Sequence, residues 1–224
     1  MMPKIQCYAA FFCVAVAAFS CQSDQKNPAA DVLPKIDTIR VTAVPKEGAV
    51  NYIVTTGVVT WAGKKFVGDG HQGTIAVEKG ALTVNQNRLI NGVITLDMAS
   101  IAVSDIEDAG ERRDLESHLK DADFFEAEKY PKAEFVIREV LPSNAPTYNW
   151  LIVGDLTMKG KTNSVNIPVK MTFEGQKLRA ESPTFPIIRT QWGVNFRAGL
   201  LGTPKDKLID DVVLLSLTLE ARQE

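Results

Sequence analysis

The stretch Asn163–Glu174, "NSVNIPVKMTFE", decides how this chain folds. Val165, Ile167, Val169, Met171 and Phe173 alternate with Asn166, Pro168, Lys170, Thr172 and Glu174. Successive side chains on a β-strand point to opposite sides, so this alternation gives one apolar face and one wet face. Pro168 falls on the wet phase. It has no amide hydrogen for a ladder, which predicts a sheet edge or a bulge at that point.

The same period of two extends outward from this stretch. "DDVVLLSLTLEA" (Asp210–Ala221) puts Val213, Leu215, Leu217 and Leu219 on one face, and "NWLIVGDLTM" (Asn149–Met158) does so with Trp150, Ile152, Leu156 and Met158. "GVITLDM" aligns Ile94, Leu96 and Met98; "AEFVI" aligns Phe135 and Ile137; "GTIAV" aligns Ile75 and Val77, with Leu82 just beyond. Turn signals at Lys79-Gly80, Lys159-Gly160 and Glu174-Gly175 suggest direct hairpin connections. Only "AGERRDLESHLKDADFFEAEKY" (Ala109–Tyr130) reads as helical, with Leu115, His118 and Leu119 at helical spacing. Asp123 is placed to cap a second short turn carrying Phe124 and Phe125. The class is therefore all-β, with seven or eight antiparallel strands and one short helical insert over about residues 110–128. An eight-stranded barrel is just wide enough to be filled by its own side chains or to hold one small ligand. The long aliphatic inward set would suit an apolar, flexible guest.

The chain has 224 residues, 45% of them hydrophobic, and a formal net charge of −2. That composition is globular, and without a basic excess nothing points to nucleic acid. The N-terminus reads as a targeting segment. Lys4 precedes an uncharged run from Ile5 to Phe19, too short for a comfortable membrane span, followed by Ser20-Cys21. Small residues before a cysteine resemble a bacterial lipoprotein signal. Residues 1–20 are expected to be removed, Cys21 to carry lipid, and residues 21–48, with Pro28, Pro34 and Pro45, to form a tether in which "IDTIRVTAV" offers one short strand. Residues 49–224 form the domain. The cysteines are Cys7, Cys13 and Cys21, so the mature domain keeps no thiol for disulfides, catalysis or metal binding.

Little else in the sequence carries chemistry. His71 and His118 are the only histidines, and no compact metal-ligand cluster or HExxH accompanies them. His118 reads as a core histidine. His71, in "GDGHQG", either holds a turn through hydrogen bonds or meets a polar ligand head. "GKTN" at Gly160–Asn163 lacks the spacing of a phosphate loop and reads as a turn. Ser104, Asp105 and Asp108 form no nucleophile elbow, and the acidic run around them reads as a solvated helix entry pairing with Arg112 and Arg113. Arg189 and Trp192, in "RTQWGVNF", either clasp the barrel shut or bind a phosphate or quinone oxygen at its mouth.

Five ordered blocks identify a resemblance: "WAGKKFVGDGHQGTIAVEKGALTV", "GVITLDMASIAVSDIED", "LESHLKDADFFEAEKYPKAEFVI", "VGDLTMKGKTNSVNIPV" and "RTQWGVNF". Together they resemble the YceI-like family over about Tyr52 to Ala221, with "HLKDADFFEAEKYPKAEF" the most specific. The resemblance implies a lipocalin-like, eight-stranded antiparallel barrel in an exported protein, here in lipoprotein form. It implies a polyisoprenoid or isoprenoid quinone as partner and no catalytic residues, cofactor or metal; membrane attachment through the N-terminal lipid rests instead on the signal before Cys21, in which this chain departs from a domain that is often simply secreted. A homodimer stays open. The lumen is then expected to be lined by Ile75, Val77, Leu82, Ile94, Leu96, Met98, Phe135, Ile137, Ile152, Leu156, Ile167, Val169, Met171, Leu215 and Leu217. His71, Arg189 and Trp192 are candidate head-group contacts. Phe124 and Phe125 belong to the same lumen set; about 100° apart on a helical turn, one of them should pack into the fixed core and the other face the cavity, and the sequence leaves open which, with Phe124 the first choice for the core. Three readings remain: a lipid-binding module, a self-filled structural or stress-response envelope protein, and an enzyme acting on an isoprenoid lipid.

Overall fold

The computed structural model describes residues 47–199 and 207–224. Residues 1–20, Cys21, the tether up to residue 46 and the strand suggested at "IDTIRVTAV" lie outside the described residues. Ten strands and one helix follow in order: β1 (Val50–Lys64), β2 (Gly70–Asn85), β3 (Arg88–Asp97), β4 (Ala102–Val103), α1 (Ala109–Lys120), β5 (Lys132–Pro142), β6 (Trp150–Met158), β7 (Lys161–Glu174), β8 (Lys177–Glu181), β9 (Phe185–Ile188) and β10 (Val212–Gln223). All pairings are antiparallel. They run β1-β10-β8-β7-β6-β5-β3-β2, and β2 pairs back onto β1, so eight strands close a barrel. The two short strands extend it. β4 continues the ladder on β2 past the end of β3, and β9 continues the ladder on β10 past the end of β8.

Local chemistry explains the connections. Lys159 (φ 51°) and Gly160 (φ 72°) form the two-residue turn between β6 and β7, with both residues in the left-handed region that the twist of a hairpin favours. Lys79-Gly80, in contrast, is no turn. It lies inside β2, where the register shifts between Val77 and Lys79 as a bulge. Bulges increase local twist, which a 16-residue strand needs to wrap around a closed barrel.

Pro168 is buried, contrary to the wet face that alternation assigns it. It pairs with Leu151 of β6. The carbonyl of Val169 accepts from Asn149, on the β6 side. Pro168 therefore turns its missing donor the other way, toward β8, whose ladder with β7 starts only at Lys170. The proline stands beside a local edge, where no hydrogen bond is lost.

The helix is shorter than the sequence suggests. α1 ends at Lys120, and Asp121 is already extended (φ −74°, ψ 172°). The following turn is organised by the Asp121 carbonyl, which accepts from the amides of Phe124 (3.1 Å) and Glu126 (2.9 Å), and not by a cap at Asp123. At the other end, Asp108 caps α1 by accepting from the amides of Gly110 (2.8 Å) and Glu111 (2.9 Å). Arg112 donates to the carbonyl of Ile106 (3.0 Å) where ion pairing was expected.

Inward residues are not equally enclosed along the barrel. At the end formed by the start of β1 and the close of β10, Val84 and Leu178 are 1% exposed and Leu89 and Ala221 are 2% exposed. Tyr52 and Phe173 meet edge to face there at 6.2 Å, and the Arg88 guanidinium stacks over the Trp150 ring at 5.6 Å. Toward the opposite end, Leu156 and Ile167 keep 9%, and Val77, Leu96, Leu215 and Leu217 are only half-buried. One end of the barrel is packed shut, while the other retains space.

Candidate functional site

The spacious end is the mouth. A cavity of about 280 Å³ opens there, lined by Trp61 of β1, Leu115, His118 and Leu119 of α1, Phe124, and Phe196 and Ile209 of the segment before β10. Charged groups, among them Lys64, Lys65, Asp69 and Arg197, mark its rim.

Three anchors hold these walls. First, α1 presents Leu115, His118 and Leu119 on one face by their i, i+3, i+4 spacing, and the Glu116 carboxylate fixes the helix to β4 by accepting from the Val103 amide at 2.9 Å. Second, the Lys159 ammonium donates to the carbonyls of Ala122 (2.9 Å) and Phe124 (2.6 Å), tying the Phe124 turn to the β6–β7 hairpin. Third, Arg189 clasps the segment between β9 and β10. Its Nε donates to Asp210 O (3.0 Å), Nη1 to Val194 O (2.7 Å) and Phe196 O (3.0 Å), and Nη2 to Ile209 O (3.0 Å) and the Asp211 carboxylate (3.1 Å). All five donors of the guanidinium are used. Burial pushes its pKa down, against Asp211 and Asp210, and the group stays charged at any ordinary pH.

The clasp places Phe196 against α1. His118 meets Phe124 at 5.0 Å and Phe196 at 4.9 Å, both edge to face, and Phe124 lies 5.1 Å from Phe196. Such pairs add about 0.5–1.5 kcal/mol each beyond their buried area. His118 is thus held by ring contacts on the cavity wall. Trp61 also faces this region, and its Nε1 is buried with no hydrogen-bond partner among the described residues.

These placements revise several expectations. Arg189 is 3% and Trp192 1% exposed, and Trp192 Nε1 donates to Leu156 O at 2.9 Å. With their donors engaged inside, neither offers a contact to a head group. His71 does reach the rim, where Nδ1 lies 3.3 Å from the Asp105 carboxylate. Phe124 takes both roles that were divided between the phenylalanines: it is buried and it lines the cavity, whereas Phe125 is half-buried against the core and borders no part of that cavity.

Ile75, Val77, Ile94, Leu96, Phe135, Ile152, Leu156, Ile167, Leu215 and Leu217 all belong to the inward set of the strands. Leu82, Ile137, Val169 and Met171 face inward too, but at 3%, 4%, 1% and 4% exposure they pack the filled part. Met98 is not a strand residue: β3 stops at Asp97 and Met98, 1% exposed, begins a 3₁₀ turn. Sequence reasoning missed Val59, inward at 8%, along with Trp61, Phe196 and Ile209, and left Val165, also inward at 8%, out of the lumen set although it stands on the apolar face of its strand. Val59 and Trp61 carried a readable signal, since "VVTW" alternates as the other strands do. Phe196 and Ile209 lie in irregular chain and carried no periodic signal, although Phe196 closes the block "RTQWGVNF". Among the described residues no group of three or more His, Cys, Asp or Glu is arranged to hold a metal ion, and no helix is long and apolar enough to cross a membrane.

The sequence matches the YceI-like domain over residues 44–221. The chain belongs to the YceI-like family. Among curated relatives, a UPF0312 protein of Staphylococcus aureus is 35% identical over 118 residues, 50% of this chain and 64% of its own length. A UPF0312 protein of Photorhabdus laumondii is 31% identical over 140 residues, 62% of this chain and 60% of its own. These matches thus span a little under two thirds of the relatives. The YceI-like barrel also has solved counterparts. BcnA of Burkholderia cenocepacia superposes with a TM-score of 0.56 at 23% identity, covering 73% of this chain and 95% of that one. A polyisoprenoid binding domain from Saccharophagus degradans superposes with a TM-score of 0.55 at 10% identity, covering 78% and 99%. At such identities the likeness concerns the fold.

Proposed function

We propose that this YceI-like barrel binds an isoprenoid-type lipid, a polyisoprenoid or an isoprenoid quinone, with the hydrocarbon chain in the lumen and the head group at the mouth. The observation that carries this reading is the gradient of enclosure. Inward aliphatic side chains are sealed at one end and keep more exposure toward the other, where a cavity walled by Trp61, Leu115, Phe124 and Phe196 opens. A wall of that kind recognises hydrocarbon and little else. The related fold described as a polyisoprenoid binding domain supports the same ligand class. The polar groups at the rim, such as the His71–Asp105 pair, suit orientation of a head group better than chemistry upon it. The protein acts as a binding module, not as an enzyme.

We place the domain at the bacterial cell envelope, in the periplasm or at the cell surface, held by lipid on Cys21. A single acyl chain gives only marginal binding, so stable attachment needs more than one. Cys21→Ala should release the protein from membranes or block its processing; equal partitioning of both forms rejects the anchor. The lumen itself is tested by native mass spectrometry of gently purified protein, where a retained hydrocarbon shows as added mass, and by titration with prenyl alcohols of increasing length. Affinity should rise with length and level off when the lumen is full. Short and long chains binding equally weakly would count against it.

A further inference from the structure

Two large apolar side chains stand side by side in solvent at the mouth. Phe66 is 62% and Val67 57% exposed at the tip of the β1–β2 hairpin; the other large exposed apolar residues among those described, Ile53, Val93 and Leu214, are scattered singly along strands. Isolated exposed apolar residues need no explanation, but an adjacent pair at a protruding tip does. The backbone beneath them is fixed. The Lys65 amide donates to Asp69 O (3.2 Å), the Phe66 amide donates to Leu208 O (2.9 Å), and Lys65 bridges to Ile209. The tip is held out by structure.

Its surroundings are cationic. Lys64 and Lys65 precede the pair, and Arg197 and Lys207 belong to the segment that flanks it. Against them stand Asp69, Asp210, 3.9 Å from Lys64, and Asp105, which is taken up by His71 at 3.3 Å, while Asp211 is committed to Arg189. This happens in a chain whose formal charge is −2. An apolar tip within a basic collar is complementary to the interface of an anionic bilayer, where rings and aliphatic groups enter the acyl boundary and lysines meet head groups. The stem of the same hairpin, through Gly63, Lys64, Lys65 and His71, is also a wall of the cavity. We propose that the β1–β2 hairpin tip is a membrane-docking element. It inserts Phe66 and Val67 into the interface of an anionic lipid bilayer and holds the mouth of the barrel against the surface from which a lipid chain enters or leaves. The docking goes beyond the lumen reading and depends on it only for why the mouth should face lipid.

The test reads depth at the tip itself. In the full chain, with Cys7, Cys13 and Cys21 changed to serine, an environment-sensitive fluorophore is attached at Val67→Cys or, as a control in the β7–β8 turn at the closed end, at Gln176→Cys. Vesicles contain phosphatidylcholine with phosphatidylglycerol. Whatever the N-terminal segment does on these vesicles, each label reports only its own position. The label at 67 should shift to the blue and be quenched by nitroxide lipids, and the label at 176 should not. Lys64→Gln with Lys65→Gln should lower the insertion equilibrium roughly 25-fold, at about fivefold per lysine near an anionic surface. Labels at 67 and 176 that stay equally in water overturn the proposal. So does a blue shift at 67 that needs no vesicles and grows with protein concentration, because it assigns the tip to a second copy of the chain. Phe66→Ser, at a position outside the cavity wall, should lose tip insertion and keep prenyl-alcohol binding in detergent. If the wild type binds no prenyl chain while its tip still inserts, the failure falls on the lumen reading alone.

Discussion

Replacing Leu217 by tryptophan asks whether the lumen is open or filled by its own side chains. Leu217 faces inward at mid-barrel, opposite Val59, and is half-buried. In a packed core an enlargement of this kind forces side chains off their rotamers and costs about 1–3 kcal/mol. For a domain of this size each kcal/mol moves Tm by about 2–4 °C. A filled barrel therefore loses roughly 2–12 °C from the two effects together. An open lumen receives the indole in free space, and its midpoint stays or rises. Binding supplies the complementary reading. At about 30 Å³ per water-sized group, the 280 Å³ mouth cavity holds about nine such groups, close to two isoprene units. The rest of a long chain has to run deeper, past Leu217. An indole there takes the place of about one five-carbon unit, worth ~4 kcal/mol gross at ~0.8 kcal/mol per CH₂. Ordering costs remove about half. The remaining ~2 kcal/mol weakens Kd for long chains about 30-fold, and the plateau in chain length arrives about one unit earlier. Thermal melts of ligand-free protein and calorimetric titration with prenyl alcohols read both effects. Val84→Phe, at the sealed end where the residue is 1% exposed, is the control: it should lose about 1–3 kcal/mol and leave binding unchanged. If Leu217→Trp melts as low as Val84→Phe and neither alters binding, the barrel is self-filled and the reasoning fails.

Phe124→Ala removes ring contacts to His118 and Phe196 and widens the cavity, so it should cost about 3–5 kcal/mol in an unfolding titration and also change prenyl-chain affinity. Phe125→Ala should cost less and leave affinity unchanged; equal effects from both would contradict the separate placements. Arg189→Lys cannot reproduce five donors in a planar fork and should lose about 3–5 kcal/mol of stability, with faster amide exchange in the segment around Phe196. The Asp108 carboxyl is held below its usual pKa, chiefly by the amides of Glu111 and Gly110. Its contribution to α1 is therefore present above the unfolded value near pH ~4 and is lost as pH falls through the lower folded value. Amide exchange at the start of α1 should accelerate over that acid range, and Asp108→Asn, which caps without titrating, should flatten the dependence.

Much of the barrel was legible because its strands are half-wet. Val165 to Phe173 and Val213 to Leu219 alternate so strictly that only one face can be inside. What alternation cannot show is a change of phase. The bulge between Val77 and Lys79 turned a strand interior into an apparent turn at Lys79-Gly80, since a glycine after a lysine looks the same in either setting. Pro168 does mark an edge, beside the end of β8, but alternation assigned it to the wet face and it is buried. The cavity was least legible. His118, Phe124 and Phe196 meet only because Arg189 draws the carbonyls of Phe196 and Ile209 together, and no local pattern announces a contact made by irregular chain.

The division of the lumen into a sealed and a spacious part follows from where bulk is placed. At Gly154 a β-carbon would collide with the ring of Phe135 and the carbonyl of Val136. The missing side chain lets that ring lie against the β6 backbone. Gly154→Ala would push the Phe135 ring off the β6 backbone and into the barrel interior above the floor made by Val84, Val169 and Leu178. A self-filled barrel has no reason to hold a large ring against its wall, because its core gains most from rings that meet at the centre. A barrel that receives a chain from its mouth must keep its axis clear to some depth and close it below. The glycine beneath Phe135, the sealed floor and the half-buried leucines of β10 each meet one part of that requirement.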